Sequence, residues 1–371
     1  MLRFLHLADL HLGWSPTRLE GAKRREHRAR RDDVLRRAVD FALEERLDLV
    51  VIAGDLFETH KPAEPLAHAT LSELRRLTSA GVALVTTPGN HDEVTYADSV
   101  YHALKDEWPG VLVMNPTPEH VATFNLKGES VYIYSLAYTG GVTPAHEPLA
   151  DFPHTGEPGV HIAAFHGTLG SGDARSLPLQ RAALERAGYD YVALGHIHLP
   201  SVTTLGRTPV VYSGCNEGKG FDDPGVPYWT VVEVEGGRAT PKQVPCDVQP
   251  IRVLDLDMTA LESPEEVEAR VSAHAHADTM MRVRLTGSLH FDYDPDSLEA
   301  RFASAFYHFE VRDESEALSD ALLASWASQR TVLGTFVAQV QAQLGQTESE
   351  AERQHLNRTL RYGVRALRSQ A

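Results

Sequence analysis

The chain has 371 residues, which is longer than one compact core and suits two or three domains. A hydrophobic content of 42% and a charged content of 23% argue against wholesale disorder. No apolar run approaches the roughly 18 residues of a membrane helix, and we expect no signal peptide. Two cysteines, Cys215 and Cys246, cannot form a disulfide framework, which favours a reducing, cytoplasmic location. The net charge of −16 argues against a surface that binds polyanions everywhere, but not against a local basic patch.

Five short apolar runs end in a turn residue and then in side chains that can bind a metal. They are Leu2–Ala8 before Asp9 and His11, Leu47–Ala53 before Asp55, Val82–Thr87 before Asn90, His91 and Asp92, Val160–Phe165 before His166, and Asp190–Leu194 before His196 and His198. Apolar runs without polar alternation predict strands that are buried on both faces. Helical patterns over 32–45 and 63–79 separate the first three strands, which predicts an α/β sheet. Because ligands bind at the carboxyl ends of such strands, we expect these polar side chains to share one edge.

The pattern changes after Tyr228. A hairpin is predicted over 228–245, followed by strand, helix, strand, helix and strand over 251–312. Beyond Glu314 the sequence predicts helices only, and the last carries an apolar stripe of Leu356, Leu360, Val364 and Leu367. The expected domains are 1–248, a small α+β domain over 249–313 and a helical tail over 314–371.

Seven of the polar residues at the strand ends offer two carboxylates, one amide oxygen and four imidazoles: Asp9, His11, Asp55, Asn90, His166, His196 and His198. One tetrahedral ion needs fewer ligands, whereas two ions that share a bridging carboxylate use them all. Oxygen and nitrogen ligands without thiolate favour manganese, iron or zinc over copper or calcium. A pair of divalent ions clamps both the attacking and the leaving oxygen of a phosphoryl displacement. Any one motif alone is weak evidence, but five at successive strand ends predict a dinuclear site.

The motifs Asp9-x-His11, Gly54-Asp55, Gly89-Asn90-His91-Asp92, His166 and Gly195-His196-x-His198 resemble those of calcineurin-like metallophosphoesterases in order and spacing. The segments 8–13, 54–57, 195–198 and 212–214 more closely resemble SbcD-type DNA-repair nucleases. The resemblance implies one ion on Asp9, His11 and His198, a second on Asn90, His166 and His196, and Asp55 bridging both. It also implies that His91 acts at the scissile phosphate while Asp92 fixes its ring.

The same resemblance implies a four-layer αββα sandwich with a small capping domain and a helical tail. It implies a manganese-dependent DNA nuclease in repair, exonucleolytic on duplex ends and endonucleolytic on single strands. The implied partner is an SbcC-type, SMC-like ATPase that docks on the C-terminal helices, and a homodimer stays open. Two alternatives remain: a phosphodiesterase or phosphatase for small nucleotides or lipid precursors, and a DNA–ATPase scaffold with a vestigial nuclease centre.

The run Lys23–Arg31 holds six basic residues and one acidic residue in nine. Such a run is commonly a solvated helix face, but beside a phosphoesterase centre it favours contact with a nucleic-acid backbone. Arg24, Arg25 and Arg28 are the candidate DNA-binding residues.

Four further expectations concern residues near the predicted site and the C-terminal helix. Either Glu58 or His60 is expected to touch the site. His6 is expected to be buried, either behind the ligands of the site or as a packing residue. Cys215 is expected to be a packing residue near the site rather than a nucleophile. The C-terminal apolar stripe either packs on its own domain or docks a partner.

Overall fold

A computed structural model of the chain describes residues 1–139, 149–170, 176–291, 293–315, 317–347 and 349–368. The chain divides into two compact units, Met1–Val248 and Gln249–Ala371. The predicted ranges 249–313 and 314–371 therefore lie together in the second unit. Residues 369–371, the end of the predicted tail, lie outside the described residues. The functional assignment of the three predicted ranges stays a prediction.

The first unit is built from strands and helices that alternate along the chain. Its strands are β1 (Leu2–Leu7), β2 (Leu49–Ala53), β3 (Ala83–Thr87), β4 (Val111–Leu112), β5 (Glu119–Leu126), β6 (Glu129–Ser135), β7 (Val160–His166), β8 (Thr168–Leu169), β9 (Pro178–Leu179), β10 (Tyr191–Gly195), β11 (Ser201–Leu205), β12 (Thr208–Tyr212), β13 (Tyr228–Glu235) and β14 (Arg238–Pro245). Its helices are α1 (Gly21–Asp32), α2 (Val34–Glu44), α3 (Glu64–Ser79), α4 (Val100–Ala103) and α5 (Arg181–Ala187).

These strands form two six-stranded sheets, ordered β14-β13-β1-β2-β3-β4 and β11-β12-β10-β7-β6-β5. Within them β1, β2 and β3 run parallel, as do β7, β10 and β12. The sheets pack face to face, with β2 against β7 and β10. Helices α2 and α3 contribute to the core of the first sheet, and α5 covers the outer face of the second. The predicted four-layer α/β sandwich is confirmed.

The predicted strands form because their apolar runs are buried on both faces. All five residues of β2 and all five of β10 are buried, which explains why neither alternates with polar residues. The basic run, which lacks an apolar stripe, is nevertheless helical and forms most of α1. Only His27 and Arg31 are buried on α1, so apolar periodicity gave no signal for this helix.

The second unit is a small α+β body followed by helices. Its strands are β15 (Ile251–Asp257), β16 (His276–Thr286), β17 (Ser288–Leu289), β18 (Phe306–Asp313) and β19 (Ala317–Leu318), and its helices are α6 (Pro264–Ser272), α7 (Pro295–Phe302), α8 (Asp320–Ala327), α9 (Val332–Gln346) and α10 (Glu350–Arg368). Strands β15, β16 and β18 form a parallel sheet. Strand β19 pairs with β17, so the expectation of helices alone after Glu314 was wrong.

The C-terminal apolar stripe packs inside the second unit. Leu356, Leu360 and Val364 of α10 are buried in the same core as residues of the parallel sheet. Helix α10 also approaches α9 closely, because a Cβ on Gly363 would lie 2.1 Å from the Phe336 ring. The apolar stripe therefore packs against other residues of the second unit and is not an exposed docking surface. Among the described helices, none is both long and apolar enough to cross a membrane.

We expect Tyr191→Phe to lower the free energy of unfolding by about 1–3 kcal/mol, because it leaves a buried imidazole nitrogen unpaired. Both His6 and Tyr191 are fully buried, as predicted for His6, and His6 Nδ1 lies 3.0 Å from the Tyr191 hydroxyl. Burial lowers the pKa of His6 to about 3, so its ring is neutral. Urea unfolding measures the loss. Tyr96→Phe, at a side chain that is 47% exposed, is the control, and equal losses in both variants would contradict this account.

Candidate metal centre

The carboxyl ends of β1 and β2 stay paired beyond the strands, and this pairing places the first polar residues. The backbone N–H of Asp9 donates to Gly54 O at 3.1 Å, and that of His11 donates to Asp55 O at 2.9 Å. The second sheet joins them, because the N–H of His196 donates to both carboxylate oxygens of Asp9, at 2.9 and 3.2 Å. Strand ends from both sheets therefore meet at one place, as expected.

The backbone at this meeting point is strained. Non-glycine residues with positive φ include Asp9 (56°), His11 (49°), Asp55 (51°) and His196 (96°). Such conformations persist only where surrounding structure enforces them, and they cluster at functional sites. A close approach is also required at Gly89, where a Cβ would lie 2.2 Å from Asp55 Oδ1. The site is held in a geometry that an ordinary turn would not adopt.

Two groups of ligand atoms lie on either side of Asp55. In the first group His11 Nε2 lies 3.0 Å from His198 Nε2, and a carboxylate oxygen of Asp9 is within 4.8 Å of donor atoms of both. In the second, Asn90 Oδ1 lies 2.9 Å from His166 Nε2 and 2.9 Å from His196 Nδ1.

Asp55 stands between these groups. Its Oδ2 lies 3.4 Å from His166 Nε2 and 3.6 Å from His11 Nε2. One carboxylate thus faces one imidazole from each group. All seven predicted ligands are brought together, with Asp55 where a bridging ligand would stand.

Hydrogen bonds place a proton on Nδ1 in two of the four imidazoles, His166 and His198. Nδ1 of His166 donates to Ala53 O at 2.9 Å, and Nδ1 of His198 donates to Asp223 Oδ2 at 2.6 Å. Nδ1 of His11 lies 2.9 Å from Glu58 Oε2. Because the oxygens of Ala53 and Asp223 only accept, Nδ1 of His166 and of His198 carries a proton, and Nε2 is the nitrogen that is left for a metal ion. The Nε2 atoms of His11, His166 and His198 all lie at the centre.

This donor set fits divalent metal ions. Nε2 of His11 and Nε2 of His198 lie 3.0 Å apart, close enough to share a proton or to bind one metal ion together. Burial alone would lower the pKa of His166, but the carboxylates of Asp55 and Asp9 raise it to about 9. Burial would raise the pKa of Asp55, but His166 and His11 hold it well below its usual value. The surroundings therefore favour positive charge at the centre, and the candidate ligands are the oxygens and imidazoles that divalent transition metals accept.

His91 lies at the mouth of the centre. Its backbone N–H donates to Asp55 Oδ1 at 2.8 Å, and its ring Nδ1 donates to Glu58 O at 3.1 Å. Its ring is half-buried and stands edge-on to His11, with centroids 4.7 Å apart. Ligand atoms of His91, His11 and Glu58 lie within 4.8 Å of one another, so the role of His91 as a non-ligand stays a prediction.

The predicted contact between Asp92 and the His91 ring was wrong. Asp92 is fully buried and accepts hydrogen bonds from Gly89 N at 2.7 Å, Phe57 N at 3.0 Å and the Tyr101 hydroxyl at 2.7 Å. Burial, together with the nearby Asp55 carboxylate, raises the pKa of Asp92 to about 6. Asp92 therefore holds the turn that carries Asn90 and His91, and Glu58 supplies the ring partner of His91.

Glu58, and not His60, touches the site. Its Oε2 lies near both His11 and His91 and accepts a hydrogen bond from Lys219 Nζ at 2.9 Å. His60 stacks instead on Tyr96, with ring centroids 4.0 Å apart. Sequence reasoning missed Lys219 and Asp223, because both lie on a loop without a strand-end motif. Cys215 is buried, which raises its pKa to about 12, so it is not a nucleophile, as predicted.

The candidate DNA-binding arginines lie on the exposed face of α1. Arg25 is exposed and has no ion pair or hydrogen bond with the described residues, whereas Arg24 donates to Pro16 O and Arg28 lies 3.6 Å from Asp32. Arg31 of the same run is fully buried and lies 4.7 Å from the centre of the Trp14 ring. The basic run therefore contains exposed arginines such as Arg25 and a buried one, Arg31.

Comparison with known proteins identifies the family. The model of the calcineurin-like phosphoesterase family matches residues 2–200. The chain belongs to this family. The resemblance that the motifs indicated is thereby confirmed, and the candidate metal centre lies within the matched residues.

Relatives of this phosphoesterase include a DNA-repair protein and part of a nuclease. The DNA double-strand break repair protein Mre11 of Methanopyrus kandleri is 29% identical over 58% of this chain and 49% of its own length. A subunit of the nuclease SbcCD of Bacillus subtilis is 30% identical over 60% of this chain and 64% of its own length. An uncharacterized metallophosphoesterase, YhaO of Bacillus subtilis, is 25% identical over 64% of this chain and 58% of its own length. The chain matches about half to two thirds of the length of these relatives.

We expect Asp92→Asn to lower the free energy of unfolding by about 1–3 kcal/mol, because an amide NH₂ cannot accept the hydrogen bonds that one carboxylate oxygen accepts. Tyr101→Phe removes one of these bonds and should cost less. Urea unfolding of both variants measures this, with the exposed Asp106→Asn as control. Unchanged stability in Asp92→Asn would show that the three hydrogen bonds do not hold the turn.

Proposed function

We propose that this phosphoesterase is a DNA nuclease that uses two Mn²⁺ ions. One ion would be held by Asp9, His11 and His198, the other by Asn90, His166 and His196, with Asp55 between them. The observation that carries the proposal is the set of imidazole nitrogens and side-chain oxygens that meet around Asp55. When bound, a pair of such ions polarises phosphoryl oxygens and lowers the pKa of water.

His91 would be the acid–base group of the reaction. Its Nδ1–H is held by Glu58 O, which fixes the ring and leaves Nε2 to exchange a proton. The ring is half-buried beside the ligand groups, so a phosphodiester at the centre would have its departing oxygen within reach of Nε2. Asp92 would act only indirectly, by holding the turn from Gly89 to His91.

DNA is the substrate that the surroundings of the site support best. Helix α1 presents Lys23, Arg24, Arg25 and Arg28 on an exposed face of an otherwise acidic protein. Backbone phosphates bind such clusters without sequence preference. The names of two relatives, a double-strand break repair protein and a nuclease subunit, point to the same substrate class. A phosphodiesterase for small nucleotides would leave the basic face of α1 without a purpose.

We further propose an SMC-like ATPase as partner, in keeping with the relative that is named as a subunit. Because the apolar stripe of α10 is buried, docking would use the other face of this helix, where Tyr362 is 72% exposed beside the exposed Arg358. Both cysteines are free, which supports the predicted cytoplasmic location. A homodimer stays open.

The proposed activity is tested with three substrates, each in the presence of Mn²⁺: linear duplex DNA, circular single-stranded DNA and a bis-aryl phosphate. We expect cleavage of the duplex from its ends. Turnover of the aryl diester alone would favour a phosphodiesterase for small substrates. No turnover of any substrate, in protein that binds DNA, would favour a scaffold.

We expect Asp55→Ala and His91→Ala to separate metal binding from proton transfer. Asp55→Ala removes the carboxylate between the two groups, so bound Mn²⁺ should be lost. His91→Ala should keep both ions and lose about 10²–10⁴-fold in cleavage rate. Metal content after dialysis and single-turnover cleavage measure the two effects. Loss of metal from His91→Ala would contradict its assignment as a non-ligand.

We expect Arg25→Ala to weaken duplex binding for every sequence and to reduce the slope of log K against log salt by about 0.9, the value for one phosphate contact. Binding is measured in a His91→Ala background to prevent cleavage. Arg238→Ala is the matched control, because Arg238 is the exposed first residue of β14. It pairs with Glu235, next to the Val234 that pairs with Leu2, so it lies toward the end of β1 opposite to Asp9. If the two variants have the same slope of log K against log salt, helix α1 does not contact DNA.

A further inference from the structure

The loop between β12 and β13, residues 213–226, is closed by its own backbone hydrogen bonds. Gly220 and Asp223 exchange N–H···O bonds of 3.1 and 3.0 Å, and Val226 N donates to Cys215 O at 2.9 Å. The loop is also tied to the metal centre, because Cys215 N donates to His198 O at 3.2 Å. Loop 213–226 is thus a compact piece of structure that begins next to a proposed ligand.

A buried arginine of α1 binds the backbone of this loop. Arg31 of α1 is fully buried, and its Nη1 donates to Gly218 O at 2.6 Å and to Glu217 O. Hydrogen bonds from a charged group are roughly twice as strong as neutral ones. The carbonyl groups that precede Lys219 are therefore held in place.

Two side chains of the loop reach the imidazoles of one proposed ion. The Asp223 carboxylate accepts the Nδ1–H of His198 at 2.6 Å. Lys219 donates to Glu58 Oε2 at 2.9 Å, and the same oxygen lies 2.9 Å from Nδ1 of His11. Each imidazole of the Asp9, His11 and His198 group thus has a carboxylate behind it. In the other group, the partner of His166 is the uncharged carbonyl of Ala53.

We propose that loop 213–226 is a positioning element for one of the two metal ions, with Asp223 orienting His198 and Lys219 holding Glu58 against His11. This inference rests on the proposed metal centre. A carboxylate behind a histidine ligand fixes the ring and raises its basicity, and its removal commonly weakens metal binding about 10–100-fold. The effect should fall on the ion of Asp9, His11 and His198 and spare the ion of Asn90, His166 and His196.

The test is calorimetric titration of the full chain with Mn²⁺. In Asp223→Ala, one of the two binding events should weaken by about 10–100-fold while the other changes by less than about threefold. Asp223→Asn keeps an acceptor but loses the charge, so its loss should be smaller. Asp222→Asn is the matched control: this side chain lies on the same loop but is 83% exposed. Thermal unfolding of each variant confirms that it is folded.

A second variant keeps the inference testable if Asp223→Ala does not fold. Glu58→Gln is isosteric and should weaken the same binding event, and the spin coupling between two Mn²⁺ ions, seen by electron paramagnetic resonance, should then appear only at higher Mn²⁺. If Asp223 and Glu58 variants bind both ions like the unaltered chain, the inference is overturned and the proposed centre stands. If the unaltered chain binds no Mn²⁺, the proposed function itself fails.

Discussion

The structure depends on a carboxylate, Asp55, that is buried among imidazoles where β2 ends. Burying a charged carboxylate costs several kcal/mol unless partners compensate for the lost water. Here the compensation comes from the backbone N–H of His91 and from the rings of His166 and His11, which come from three other strand ends. Satisfying one buried charge therefore requires both sheets to meet at this point. The face-to-face packing of the sheets and the geometry of the site therefore both depend on the buried Asp55 carboxylate.

That constraint explains features that would be unfavourable elsewhere. Positive φ values at Asp9, His11 and Asp55 turn side chains inward at the point where straight strands would carry them past one another. The missing Cβ of Gly89 lets the next strand end approach Asp55. Such strain is tolerated because the strands behind it are completely buried and cannot relax.

The sequence predicted the elements whose signal is local, and it did not predict contacts that depend on the folded loops. Unbroken apolar runs located the strands of the α/β layers, and the polar residues after them located the seven proposed ligands. The partners of Asp92 were mispredicted because adjacency to His91 suggested a contact, whereas the turn directs the carboxylate back toward Gly89 and Phe57. Lys219 and Asp223 reach the site through tertiary contacts of one loop, and no spacing rule finds them.

Helix α1 shows why charge runs are hard to interpret from sequence. Neighbouring arginines of one run have opposite roles: Arg25 faces solvent, whereas Arg31 is buried and binds the carbonyl groups of Glu217 and Gly218. Arg31 is connected to the candidate metal centre through Lys219 and Glu58, because it binds the two carbonyl groups that precede Lys219. The exposed one lies on the face proposed for DNA. Arg25 and Arg31 are six residues apart on one helix, which is about 9 Å along its axis. The surface that would position the phosphodiester backbone and the loop that would position the metal ligands therefore share one helix as their support.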